Sequence, residues 1–179
     1  MSFYNEKHKA FFIMCLLLNV FIFDVEAHDG TVTISGTIQD NTCELATDSQ
    51  NKTVEMGVLA VNQFTRKGNQ TPEKAFSINL INCGPAASEA SVTFSGTPDP
   101  QVNTLYSLDH SSDAATGIAL GIYDSNAQPI APGAQSLGVA LEPGQTSVEL
   151  AFTARYVSVD DNVEMGSANV YVTFIVNYA

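Results

Sequence analysis

Residues 28–43, HDGTVTISGTIQDNTC, decide how the rest of the chain is read. From residue 30 to 38 the stretch alternates: Gly30, Val32, Ile34, Gly36 and Ile38 fall on one side, and Thr31, Thr33, Ser35 and Thr37 on the other. A period of two built from β-branched residues describes an extended strand with one apolar and one polar face. The apolar face must be buried, either in its own domain or against another molecule, and that choice fixes what the protein does.

The residues ahead of this stretch read as a leader. Lys7, His8 and Lys9 form a basic region, residues 10–23 are nearly all apolar, and Val25-Glu26-Ala27 offers a small-residue cleavage site. An apolar core of about fourteen residues is short for a membrane span, so residues 1–27 are expected to be a secretory signal peptide. The remaining 152 residues are one domain's worth of chain. The full chain carries a net charge of −12. Few and scattered basic residues make it a poor binder of nucleic acid or anionic membrane.

With Cys15 in the leader, the exported part keeps two cysteines, Cys43 and Cys83. Two cysteines in an oxidising compartment are expected to pair, whereas a metal site would need more ligands at closer spacing. Closing a loop of about 40 residues should stabilise the fold by roughly 4 kcal/mol in the chain-entropy model.

Alternation continues downstream. Residues 52–59 place Val54, Met56 and Val58 on one face, and residues 75–83 do the same with Phe76, Ile78 and Leu80. Residues 90–96 turn Val92 and Phe94 inward, residues 117–123 form a further strand, and residues 146–157 alternate through Val148, Leu150 and Phe152. The last strand is read over 168–178, with Ala168, Val170, Val172, Phe174, Val176 and Tyr178 on one face and nothing after it to close the sheet. Residues 61–74 and 97–116 read as polar loops, and Gly84-Pro85 and Glu142-Pro143-Gly144 as turns. Many short strands at this spacing predict an all-β sandwich.

No catalytic, cofactor-binding or metal residues are assigned. His110, among Asp109, Ser111, Ser112 and Asp113, lacks an activated nucleophile motif and reads as a solvated loop. Asp160-Asp161-Asn162 with Glu164 lacks the oxygen spacing and central glycine of a calcium loop.

Several motifs in this order resemble a pilin of the chaperone–usher family, close to type 1 fimbrial subunits. They are the alternating opening strand with Gly36 ahead of Cys43, the strand ending at Cys83, SVTFSG at 91–96, ATGIALGIYD at 115–124, FTARYVSV at 152–159, Gly166, and the penultimate Tyr178. The resemblance implies an immunoglobulin-like sandwich that lacks its last strand and is completed by a donor strand from a partner. It implies a donor extension at 28–37 ahead of a pilin domain at 38–179. Val32, Ile34 and Ile38 would then be groove-filling side chains and Gly36 the small residue of the motif. Cys43 and Cys83 would match the family disulfide. Gly166, Val170, Val172, Phe174, Val176 and Tyr178 would mark the edge that a chaperone and then a donor strand occupies.

The implied partners are a periplasmic pilus chaperone, an outer-membrane usher and neighbouring pilins, with no nucleic acid, cofactor or small-molecule substrate. The implied route runs through the periplasm to an extracellular fimbrium. The opening stretch points to a minor or adaptor subunit. The alternatives are a major shaft pilin, a sugar-binding tip adhesin, which would need a lectin domain that 152 residues cannot hold, and a self-contained exported immunoglobulin-like module.

Overall fold

The computed structural model describes residues 33–37 and 41–179. The expected signal peptide, His28, Thr31, Val32 and Ile38 therefore lie outside the described residues. The chain divides into two units, residues 1–37 and 38–179, taken separately below.

Within the first unit, residues 33–37 form no hydrogen-bonded strand and are exposed throughout, Ile34 to 92 %.

The second unit contains the strands β1 (Glu44–Leu45), β2 (Lys74–Ile81), β3 (Glu89–Ser95), β4 (Ile118–Tyr123), β5 (Val139–Ala140), β6 (Ser147–Ser158) and β7 (Thr173–Tyr178). A single-turn helix, α1 (Thr47–Gln50), follows β1. The strands form two antiparallel sheets, one ordered β1-β2-β6-β4 and the other β5-β3-β7. Alternation explains the layering. Ile78 and Leu80 of β2, Leu120 and Ile122 of β4, and Leu150, Phe152, Ala154 and Tyr156 of β6 share one core with Val92 and Phe94 of β3. At one end of that core the rings of Phe94 and Phe152 meet edge to face at 5.0 Å, with Phe76 and Phe174 beside them. A second, smaller cluster of Leu105, Ala119, Val157 and Val159 covers part of the opposite face of β4 and β6.

Cys43 and Cys83 are bonded, with an S–S distance of 2.05 Å. The bond lies where β1 meets β2: Glu44 pairs with Ile81, and the Gly84 amide donates to the Thr42 carbonyl at 2.8 Å. Because β1 contributes only two residues of ladder, the cross-link supplies much of what holds the chain start to β2. Replacing either cysteine with serine should lower unfolding stability by about 4 kcal/mol. Urea titration should show it as a lower midpoint with a somewhat steeper slope, because the unfolded chain without the cross-link exposes more surface.

Two sequence expectations are corrected here. Residues 52–59 alternate but form no strand, and Val58 points away from the core, fully exposed, while Val54, Met56 and Leu59 are half-buried. Gly57, at φ +78°, takes a left-handed conformation that shifts the phase by one residue. The last strand is also shorter than its pattern. Its ladder to β3 begins at Thr173, because β3 ends at Ser95 and offers residues 168–172 no neighbour. The inward set there is nonetheless as read: Ala168, Val170, Val172, Phe174, Val176 and Tyr178 all pack against the core from a half-buried position.

Candidate functional site: an open strand groove

β7 is the outer strand of its sheet. It pairs with β3 from Ala90–Tyr178 to Ser95–Thr173, and among the described residues no strand lies along its other edge. A strand hydrogen-bonded on one side exposes alternate amides and carbonyls on the other.

Beside that edge lies a groove of about 1340 Å³. Its floor comes from the opposite sheet: Ile78, Ile118, Leu120, Ile122, Ala154 and Tyr156, with Phe76 and Phe94 at one end. One wall is residues 163–174 and the other is residues 50–59.

The walls differ in how they are held. The first is anchored at several points. The Tyr156 hydroxyl donates to the Ala168 carbonyl, the Asp109 amide to the Asn169 carbonyl at 2.8 Å, and the Ser167 amide to the Asp113 carbonyl at 2.7 Å. Burial pushes the pKa of the Tyr156 phenol up, so it stays a donor. The second wall has no such anchors: among the described residues, none of 53–59 makes a hydrogen bond through backbone or side chain. Among the described residues the groove is thus an apolar trough with unpartnered backbone groups along residues 53–59 on one side and along the outer edge of β7 on the other. An extended peptide laid along it can hydrogen-bond both walls and bury every second side chain.

Gly166 sets the top of the anchored wall. A Cβ there would lie 2.3 Å from the Ala115 nitrogen and 2.5 Å from the Asp113 carbonyl oxygen, so only glycine lets residues 113–115 and 165–167 cross this closely. Gly166→Ala should push the two segments apart and destabilise the domain by about 1–3 kcal/mol, the usual cost of overpacking. A lower thermal midpoint with unchanged β-sheet content would register it. At the other end, the Tyr178 hydroxyl donates to the Cys43 carbonyl at 3.1 Å, tying the end of β7 to the disulfide.

The structure brings together Val170, Val172 and Phe174 on one wall with Gly166 above them, while Val176 and Tyr178 continue β7 beyond the groove's lining. Ile34 and Gly36 lie in the first unit, and Val32 and Ile38 are outside the described residues. Sequence reading missed the floor residues Ala154 and Tyr156, which continue the β6 alternation past Phe152 and were legible by extending it. It also missed Ala115 and Val163, which come from segments read as polar and carry no local signal.

A smaller pocket of about 540 Å³ lies across residues 52–55 from the groove, against β2 and β6. Among the described residues no group of three or more histidine, cysteine or acidic side chains is placed to hold a metal, and His110 is exposed.

Comparison with known proteins agrees with this architecture. Residues 32–179 match the family model described as fimbrial protein. The chain is 41 % identical over 152 residues to the fimbrial-like protein YcbV of Escherichia coli K12, covering 85 % of this chain and 87 % of that one. It is 35 % identical to the probable major fimbrial subunit LpfA of Escherichia coli O157:H7, covering 99 % of each. A solved structure of a chaperone–usher pilus shares the fold, with a TM-score of 0.64 at 19 % identity over 88 % of this chain and 99 % of the other. The antiparallel sandwich and a family match spanning all the described residues lead to one conclusion: the chain belongs to the fimbrial protein family, as a structural subunit and not an enzyme.

Proposed function

We propose that this pilin polymerises by donor-strand exchange: its groove takes up an extended strand from a neighbouring subunit, and its own residues 28–37, ahead of a pilin domain at 38–179, serve as the donor for the next. The observation that carries the reading is that, among the described residues, β7's outer edge and residues 53–59 stand without partners over an apolar floor. Such a surface is an aggregation hazard if left bare. A periplasmic chaperone is therefore the first occupant and the donor strand its replacement at an outer-membrane usher. The leader at 1–27 supplies the export step, and the product is an extracellular fimbrium. On the donor side, Val32, Ile34 and Ile38 fill the trough and Gly36 meets its shallowest part. On the receiving side, Gly166, Val170, Val172, Phe174, Val176 and Tyr178 form the edge.

Two positions in the fibre fit this mechanism. The opening stretch favours a minor or adaptor subunit, whereas the end-to-end similarity to a probable major subunit favours the shaft. We take the shaft as the reading and the adaptor as its alternative.

Deleting residues 28–37 tests the mechanism. The truncated protein should still be recovered in complex with its chaperone, yet should fail to enter a neighbour's groove, so that fibres stop at its position. Normal fibre growth beyond the truncated subunit would overturn the donor assignment.

A further inference from the structure

The groove has a second face, on the outside of the sheet, and the exposed apolar side chains of the domain gather around it. The large hydrophobics exposed in this unit are Val58, Val61, Leu137, Met165, Tyr171 and Ile175. Four of them, Val58, Val61, Met165 and Tyr171, border the groove, and Ile175 lies on β7 itself. Among the described residues only Leu137 lies elsewhere. Scattered singly, exposed hydrophobics need no explanation; concentrated along one feature they mark a contact surface.

These side chains cannot be part of the trough's filling. Tyr171 is 79 % exposed and Ile175 62 % exposed, and they alternate with Val170, Val172, Phe174 and Val176, which face the core. The outward row is thus Tyr171, just ahead of β7, then Thr173, Ile175 and Asn177 on it, without a charge although the protein carries −12. On the facing wall, Val58 also points outward.

A strand seated in the groove would place its outward side chains between these two rows, at the roughly 5 Å spacing of cross-strand neighbours. Resting on the donor-strand reading, we propose that this outward face is selected as well as the inward one, and that the strand it fits is that of a second copy of this chain. The outward row of residues 30–38 is Thr31, Thr33, Ser35 and Thr37, three of them β-branched and none charged. Threonine sets a methyl group against Tyr171, Ile175 and Val58 while its hydroxyl stays in water. An acidic side chain in the same row would lose those contacts and stand near Glu55 and Glu164, which border the groove.

The test uses labelled peptides of residues 28–39 and the protein carrying Ile34→Asp, so that its own segment does not compete. The wild-type peptide should bind, and its Ile34→Asp form should lose at least about 100-fold. A Thr31→Ser, Thr33→Ser, Thr37→Ser peptide should bind about five- to tenfold more weakly, as three lost cross-strand contacts require. A Thr33→Glu, Ser35→Glu peptide should lose at least tenfold. The receiving variant Val58→Ser, Tyr171→Ser, Ile175→Ser should show a similar loss with the wild-type peptide but little further loss with the serine peptide, the signature of direct coupling. If the serine and glutamate peptides bind within twofold of wild type while the Ile34→Asp peptide does not bind, outward selection is wrong and donor-strand exchange stands. If no peptide binds, donor-strand exchange itself fails, and this proposal with it.

Discussion

Joining a copy of residues 30–38 behind Ala179 through a flexible linker should raise the thermal midpoint by about 10 °C and turn a self-associating protein into a stable monomer. The linker lets the added strand fold back antiparallel along β7, whose outer edge is open. Burying Val32, Ile34 and Ile38 contributes about 1.5–3 kcal/mol each. The outward backbone groups of β7, and those of residues 53–59, which make no hydrogen bond among the described residues, gain partners at about 1 kcal/mol apiece. Ordering the strand opposes this by about 1–2 kcal/mol per residue, so the rise in midpoint reads the excess of burial and hydrogen bonding over that cost. Calorimetry and size-exclusion chromatography of the fused and unfused proteins check it. An unfused protein that is already monomeric, with an unchanged midpoint on fusion, would mean that the groove needs no strand.

Placing charge in the groove wall should have the opposite effect. Val172 and Val176 face the core from half-buried positions, and Val176 pairs with the fully buried Val92. Changing both to aspartate puts one carboxylate in the groove wall, where an incoming strand would seal it from water, and another against the core beneath β7, and an unpaired buried charge is among the costliest defects a protein can carry. The variant should bind a donor peptide at least about 100-fold more weakly, and in cells it should be degraded in the periplasm before it accumulates in complex. Pull-down with the residue 28–39 peptide and immunoblotting of periplasmic extracts measure the two effects. Full retention of both binding and abundance would remove Val172 and Val176 from the docking edge.

The period of two made most strands legible without coordinates. In β2, β3 and β6, every second residue from Phe76 to Leu80, from Val92 to Phe94 and from Val148 to Phe152 goes to the core, because the pleat alternates side chains whatever the neighbours are. Pairing of Cys43 with Cys83 followed from counting the cysteines outside the expected leader. The open groove was expected only through resemblance to a family, since local pattern cannot say whether a strand edge has a partner.

Tertiary structure decided the rest, because hydrogen bonding in a sheet depends on which backbone lies alongside. Residues 168–172 carry the same alternation as β7 yet form no ladder, since β3 stops at Ser95. Residues 53–59 look like a strand in sequence and, among the described residues, stand unbonded at the rim, with Gly57 turning Val58 outward. Tyr106, in a segment read as a polar loop, is fully buried, and its hydroxyl donates to the Ile130 carbonyl at 3.1 Å. A lone aromatic among polar residues has no period to betray it, and its burial follows from the space left between two sheets.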